Sequence, residues 1–470
     1  MSPLAPDLCV VGAGAGGLAV AAGAAQLGAS VVLVERGAMG GDCLNYGCVP
    51  SKSLLAAARY AASWREAGAF GLAYEPPRVD FAAAMESVAQ TIARLAPNDS
   101  AERFESLGVR VLPGEGRFTG PGALAVGDTE IRPRRFVLAT GSHPAIPPIP
   151  GLAAAPFLTN ETVFANRELP AHLLVIGGGP IGIELAQAHR RLGARVSVFD
   201  AGPLLPREDT ELAAALTAQL AGEGVALYPN VTIAAVEQDD AAIVLRLAGG
   251  ERIAGSHLLL AAGRRPSLEA LDLPRAGIAA GPSGIIVDRR LRTTNRRAFA
   301  IGDAAGGPQF THVALYHAGI VIRNALFRIP ARVDYRALPW VTYTDPELAQ
   351  VGLTEKAARE RYSAIVVERW PFAENDRAQC ERATRGMVKL VLRQGGRILG
   401  ASILGANAGD LILPWALAIA RRLKAGALAN LVVPYPTRGE AGKRAAGAYF
   451  APHLFSPRTR ALVRFLARFG

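Results

Sequence analysis

Lysine is nearly missing from this sequence. Only Lys52, Lys356, Lys389, Lys424 and Lys443 stand among 51 basic residues, and the rest are arginine. Cysteine is sparse as well, with four in the chain. That number excludes a dense structural disulfide framework and points to redox chemistry or metal binding. Long apolar runs are absent: the best candidate, Leu411 to Ala420, contains Pro414 and is far shorter than the ~20 residues a membrane-spanning helix needs. No charged leader precedes the first apolar run, so no secretory signal is expected and the expected location is cytoplasmic. Arginine is spread along the chain without aromatic interleaving, so no nucleic-acid partner is expected. What is present is globular: 470 residues, half of them hydrophobic, with 19% charged and 51 glycines. At ~100–200 residues per domain this implies about three domains. The net charge of +11 fits an arginine-covered surface or attraction to anionic cofactors, acidic partners or a membrane surface.

Residues 8–35 read as strand, glycine turn, helix and strand. The apolar run Leu8 to Val11 leads into Gly12, Gly14 and Gly17, an alanine-rich helix ends near Leu27, and the strand Val31 to Val34 closes on Glu35. Glycines at this spacing permit a tight turn that brings a pyrophosphate close to the N–H groups of a helix N-terminus. Glu35 falls where an acid accepts hydrogen bonds from a ribose diol. The same arrangement recurs at 173–200, with Gly177, Gly179 and Gly182 in the turn and Asp200 as the acid. Two such units imply two dinucleotides. From about Ala337 the fingerprint stops. Short strands at Ala364–Val367, Met387–Leu392 and Ile398–Leu404, with a helix near Asp410 to Lys424, predict an α+β domain. Four prolines between Pro144 and Pro150 mark a boundary, since they continue neither helix nor central strand.

The stretch from Gly40 to Lys52 carries the chemistry. Cys43 and Cys48 lie five positions apart in a glycine-rich loop that enters a helix, close enough to form a small disulfide ring. Zinc normally needs four ligands, and no other Cys or His cluster is near in sequence. A helix N-terminus lowers the pKa of a thiol at Cys48, and Lys52 follows one turn later on the same face. Cys9 reads as a core thiol of the first strand, and Cys380 as a residue of a polar loop without a role.

This segment resembles the redox-disulfide motif of the class I pyridine nucleotide–disulfide oxidoreductases, the family of dihydrolipoamide dehydrogenase, glutathione reductase and mercuric reductase. The resemblance spans the chain. Ala139-Thr140-Gly141-Ser142 is similar to the family's link out of the FAD domain, and Gly263-Arg264-Arg265-Pro266 to its second-domain closing turn. Ala300-Ile301-Gly302-Asp303 resembles the strand end whose aspartate holds the flavin ribityl chain, and Gln309-Phe310-Thr311-His312 falls where the family contacts the flavin ring. The resemblance implies that Cys48 lies next to the flavin, that Cys43 is the interchange thiol, and that Lys52 sits near the flavin and pairs with Glu184. It assigns FAD to Gly12, Gly14, Gly17, Glu35, Arg36, Gly41, Asp42, Lys52, Gly116, Thr140, Gly141, Asp303 and residues 309–312. It assigns the nicotinamide cofactor to Gly177, Gly179, Gly182, Asp200, Val231 and Gly263. It also implies a homodimer in which each active site is completed by the C-terminal domain of the other subunit.

Asp200 favours NADH over NADPH, because an acid accepts from the ribose 2′-OH and repels a 2′-phosphate, and neither Arg195 nor Arg207 replaces it. One departure from the family concerns the substrate. Members that handle dithiols carry a His-Pro-Thr motif followed by a glutamate, whereas this chain reads Tyr435-Pro436-Thr437 and keeps Glu440. Tyrosine, with an ordinary pKa near 10, is a poor base near neutrality. Mercuric reductases carry a tyrosine there and a following helix similar to Glu440-Ala-Gly-Lys-Arg444, but they end in a vicinal cysteine pair, and no cysteine follows Cys380 here. The substrate is therefore open between the dihydrolipoamide/lipoamide couple, a metal ion and another thiol, disulfide or electron acceptor. Residues 458–469 alternate Leu462, Val463, Phe465, Leu466 and Phe469 with four arginines, a basic amphipathic pattern compatible with an anionic membrane surface, a protein partner or a helix docked on its own domain.

The expected architecture is α/β. An FAD domain (1–150 and 268–336) is split around a nicotinamide-binding domain (151–267), and an α+β dimerisation domain (337–470) follows. The expected activity is FAD-dependent transfer of electrons from NAD(P)H to a Cys43–Cys48 disulfide and onward to an acceptor.

Overall fold

A computed structural model of the chain describes residues 2–73, 75–239 and 242–469. Two compact units emerge, one from residues 1–201 with 228–333 and one from 202–227 with 334–470.

In the first unit, strand β1 (Leu8–Val11) is fully apolar and buried, and it runs through the glycine turn into helix α1 (Ala15–Gln26). β2 (Val31–Glu35) returns parallel to β1. Helix α2 (Cys48–Ala62) follows, then β3 (Val109–Pro113) and β4 (Arg135–Leu138). A second strand–turn–helix–strand series is built from β5 (His172–Ile176), α3 (Pro180–Arg191), β6 (Arg195–Phe199) and β7 (His257–Leu260). β8 (Ala298–Ala300) and α4 (Thr311–Ala325) then return the chain to the first series. One parallel sheet has the order β8-β4-β1-β2-β3, and in the second β5 lies parallel between β6 and β7. The strands of both sheets are largely apolar because each sheet is covered on two sides; in both, one side packs on a three-stranded antiparallel sheet, residues 116–131 in the first and 233–255 in the second.

The glycine turns explain themselves by distance. A Cβ on Gly17 would stand 1.8 Å from the Gly12 carbonyl oxygen, and one on Gly182 would stand 1.9 Å from that of Gly177. Each turn therefore closes only without those side chains. The small residues of α1 have a second reason. α1 packs on α4, and a Cβ on Gly23 would meet Ile322 at 2.7 Å.

The second unit is an antiparallel sheet of β9 (Pro339–Thr342), β10 (Glu347–Gly352), β11 (Ile365–Pro371), β12 (Met387–Arg393) and β13 (Arg397–Gly405), in the order β9-β10-β13-β12-β11. The single helix expected near Asp410 to Lys424 is instead three pieces, Ala408–Leu411, Leu413–Ala420 and Ala425–Ala429. Pro414 makes the first break, because it lacks the N–H that would continue the ladder and suits only the opening turn of the second piece; the second break falls at Arg422, whose φ of 57° is left-handed. Helices α5 (Gly439–Ala448) and α6 (Pro457–Leu466) end the chain.

Residues 202–227, expected within the nicotinamide domain, group with this second unit. The buried Lys389 on β12 holds them there, with Asp209 at 2.9 Å, Glu211 at 2.8 Å and Glu355 at 2.8 Å from its ammonium. Asp209 is also the N-cap of the helix Thr210–Gly222. Removing the cation would leave the buried Asp209 carboxylate without its countercharge. Lys389→Met should therefore destabilise the protein by about 3–5 kcal/mol. A chemical denaturation midpoint unchanged from wild type would refute this.

Candidate active site

Gly40 and Gly41, both with positive φ, swing the chain out of the first sheet and start the short helix Gly41–Asn45. A Cβ on Gly41 would meet Gly14 Cα at 2.6 Å, so the loop with the cysteines is seated on the first glycine turn. Gly47 ends the excursion, and Cys48 opens α2. Helix position then sets Lys52 one turn beyond Cys48. The Lys52 ammonium donates to Glu184 Oε2 at 2.8 Å, and Glu184, on α3, is buried. The lysine–glutamate pair expected from the sequence is thus brought together, and it ties α2 to α3.

Cys43 and Cys48 are not bridged, and each shifts the acidity of the other. The two differ sharply. A hydrogen bond from the Cys43 thiol, reinforced by the Thr311 hydroxyl and the Lys52 charge, outweighs burial and the Asp42 charge and brings Cys48 down to about 6. Cys43 is pushed the other way, first because it donates to Cys48 and then by burial. The setting therefore favours the thiolate at Cys48 over Cys43. Thr311, at the start of α4, reaches Cys48 Sγ at 3.3 Å.

Each dinucleotide turn is closed by its acid. Glu35 accepts from Ala13 N at 2.5 Å and from Gly37 N at 2.7 Å, and Asp200 accepts from Gly178 N at 2.7 Å. Val231 donates its N–H to the Asp200 carbonyl at 2.9 Å. Gly116 begins a strand packed on Val11 and Val34. Arg36 instead forms an exposed pair with Glu115 at 3.2 Å. Gly141 and Gly263 both take positive φ where the chain leaves its two sheets. Thr140 Oγ1 is buried and finds no hydrogen-bond partner among the described residues. Asp303 accepts from Ser142 Oγ at 2.5 Å, and burial raises its carboxyl above the usual range. Gln309 and Phe310 lead into α4, and the Phe310 ring stacks on His312 with centroids 5.1 Å apart.

Sequence reasoning missed a connecting group. Arg264, noted only as part of a turn, reaches Asp42 at 3.1 Å and Ser142 Oγ at 2.7 Å, and Asn160, not noted at all, donates to Asp42 at 2.9 Å. No motif carries Asn160; only the folded chain brings it there. Tyr435 and Glu440 belong to the second unit. The Tyr435 hydroxyl donates to Asp376 Oδ2 at 2.8 Å, which raises its pKa above the phenol's ordinary value, and Arg444 binds Glu440 at 3.2 Å. Cys380 ends the short helix Asp376–Cys380 rather than lying in a loop, and Cys9 is fully buried. No cluster of three metal-ligating side chains occurs among the described residues, nor does a helix long and apolar enough to cross a membrane.

Comparison with known proteins agrees with this geometry. Residues 6–318 match the family described as pyridine nucleotide-disulphide oxidoreductase, and residues 338–446 match the dimerisation domain of that family. A mercuric reductase of Streptomyces lividans is 37% identical over 94% of this chain and 96% of its own. A dihydrolipoyl dehydrogenase of Geobacillus stearothermophilus is 36% identical over 94% of this chain and 95% of its own. Among solved structures, the Cu(II) complex of the HOCl-induced flavoprotein disulfide reductase RclA from Escherichia coli superposes with a TM-score of 0.85. It is 28% identical and covers 93% of this chain and 98% of its own.

Proposed function

The chain belongs to the pyridine nucleotide–disulfide oxidoreductases, FAD-dependent enzymes, and from that premise we propose that it is an NADH-dependent reductase working through Cys43 and Cys48. The observation that carries this reading is the setting of the cysteine pair: Cys48 opens α2 with its sulfur 3.3 Å from the Thr311 hydroxyl, one turn before a Lys52 held by buried Glu184 at 2.8 Å, and this setting draws its acidity down. FAD, when bound, accepts a hydride from the nicotinamide and passes the electron pair to the cysteines. The balance is then simple: hydride plus disulfide gives one thiol and one thiolate, the S–S bond breaks, and no further proton is needed. Cys43, carrying the proton and lying away from Lys52's helix, serves as the thiol that exchanges with substrate. Lys52 holds positive charge over the thiolate, and buried Glu184 fixes the ammonium in place.

The residues fit FAD. The Thr140 hydroxyl offers a hydrogen bond that no described residue takes up, and the Gly12–Gly17 turn leaves room at Gly14 for a pyrophosphate. Glu35 would take the ribose diol and Asp303 the ribityl chain, with Gly41, Asp42, Gly116, Gly141 and residues 309–312 forming the walls. Arg36 would line the adenosine end. Gly177, Gly179, Gly182, Val231 and Gly263 would hold the nicotinamide cofactor. We place FAD in residues 1–150 with 268–336 and the nicotinamide cofactor in 151–267, with 337–470 pairing two copies of the chain. Asp200 at the end of β6 supports NADH: kcat/KM should exceed that for NADPH by at least about tenfold, ~1.4 kcal/mol. Equal or better efficiency with NADPH in steady-state kinetics would overturn the assignment.

For the acceptor, the state of Tyr435 decides between readings. Its proton is engaged by Asp376 and its pKa is raised, so it supplies no base near neutrality. This supports an acceptor that needs no proton shuttle, such as a soft metal ion, over lipoamide. The test is NADH oxidation with a panel of lipoamide, glutathione disulfide, Hg(II), Cu(II), a quinone and oxygen. Lipoamide as the best acceptor would reverse the reading.

A second surface reading has its own observation. On α6 and just beyond it, Leu462, Phe465, Leu466 and Phe469 are all more than half exposed, while Arg460, Arg464 and Arg468 fall on the opposite side of the helix. The chain has no acidic residue after Glu440. A basic amphipathic helix of this kind suits an anionic bilayer. Full-length protein should co-sediment with phosphatidylglycerol-containing vesicles at low salt, and Leu462→Asp/Phe465→Asp should release it. Equal sedimentation of the two proteins would exclude this contact.

A further inference from the structure

We propose that Arg264 is a positioning residue that sets the acidity of Cys48 by neutralising Asp42. The argument rests on the thiol–flavin reading above and on one connected set of hydrogen bonds. Asp42 precedes Cys43, and its charge opposes the thiolate at both sulfurs. Left alone, a carboxylate beside a catalytic thiolate works against it.

Arg264 answers that charge. Its side chain is 12% exposed, and one terminal nitrogen reaches Asp42 Oδ1 at 3.1 Å while also donating to the Ser142 carbonyl at 2.8 Å. The other terminal nitrogen donates to Asn160 Oδ1 at 3.2 Å, and Nε donates to Ser142 Oγ at 2.7 Å. Asn160 in turn donates to Asp42 Oδ1 at 2.9 Å and to the Tyr46 carbonyl at 3.2 Å, so it holds the loop between the two cysteines. Ser142 passes the network to Asp303 at 2.5 Å. One guanidinium therefore joins the cysteine loop to the aspartate assigned to the ribityl chain. Its planar fork fills several directions at once, which a lysine ammonium would not reproduce. The hydrogen bonds of Arg264 go to Asp42, Ser142 and Asn160 and to neither sulfur, so the carboxylate it acts on directly is that of Asp42.

The test is the pH titration of Cys48 in the FAD-bound enzyme, read in two ways. One is the long-wavelength charge-transfer absorbance after reduction by one equivalent of NADH. The other is the rate of Cys48 alkylation by iodoacetamide, followed by peptide mass spectrometry. Arg264→Gln should raise the Cys48 pKa by about one unit, a tenfold loss of thiolate at a given pH below it. Asp42→Asn should lower it, and the double variant should return to near the wild-type value. A pKa unmoved in Arg264→Gln, or a double variant as shifted as Arg264→Gln, would overturn the proposal, because a purely structural role predicts no rescue by removing Asp42. Should Arg264→Gln shed FAD, Asp42→Asn carries the decision, and a pKa unmoved in that variant overturns the proposal. Absence of the absorbance band in wild type would sink the thiol–flavin reading instead, and the alkylation profile would still decide the role of Arg264.

Discussion

Cys48→Ser is expected to abolish the long-wavelength charge-transfer absorbance that one equivalent of NADH produces in the wild-type enzyme, with FAD still bound. The thiolate is the donor of that band, and serine, with an alcohol's pKa, supplies no anion at neutral pH. Turnover through the cysteine pair should fall by at least about 10³-fold, ~4 kcal/mol of barrier, since the path by disulfide exchange is lost. Cys43→Ser should behave in the opposite way spectroscopically. Cys48 can then no longer pair, so the band should be present before any reductant is added. It should persist down to about pH 6, below which the Cys48 thiolate takes up a proton. The serine hydroxyl can still donate to Cys48, so the acidity should move little. Band retention in Cys48→Ser, or its absence in Cys43→Ser, would exchange the two roles or remove them. Stopped-flow spectra of the two variants decide it.

The second large effect concerns Tyr435. Flavin reduction by NADH would need no base from the protein, because what is transferred is a hydride and not a proton. Dithiol oxidation does need one. General acid–base catalysis contributes about 10²–10⁴-fold, and a phenol whose proton is held by Asp376 cannot supply it near neutrality. Flavin reduction should therefore proceed normally while dihydrolipoamide turnover at pH 7–8 lags by at least about tenfold. Tyr435→His should raise dithiol activity, since imidazole titrates in the working range. The gain should be partial for two reasons in the structure. Asp376 is placed for a hydroxyl farther from the backbone than an imidazole nitrogen, and Glu440, which would orient the new ring, already holds Arg444. Wild-type dithiol turnover equal to that of histidine-containing relatives would show that Tyr435 does not limit the chemistry, and the reading would return to a lipoamide dehydrogenase.

The amino-acid sequence alone determined the parts that rest on local spacing. Both dinucleotide turns were legible because strand, glycines, helix and acid follow one another within about thirty residues, and backbone sterics leave such a pattern few other conformations. The cysteine pair and Lys52 were legible for the same reason, being joined by a single loop and one helical turn. Glu184 was named through family resemblance, and the fold brings it to Lys52 across more than a hundred residues. What only the tertiary structure decided is longer in range. Nothing in the sequence near Arg264, Asn160 or Ser142 announces that they meet at Asp42, because side-chain hydrogen bonds between distant loops leave no periodic trace. The split of the last helical stretch at Pro414 was readable in principle, but apolar periodicity concealed it. The partners of Lys389 were not readable at all, since a buried cation finds its carboxylates only once three segments pack together. The proton of Tyr435 belongs with these. Its identity was written in the sequence, but its engagement by Asp376, which fixes how poor a base it is, depends on the fold of the second unit bringing two exposed residues within hydrogen-bond distance.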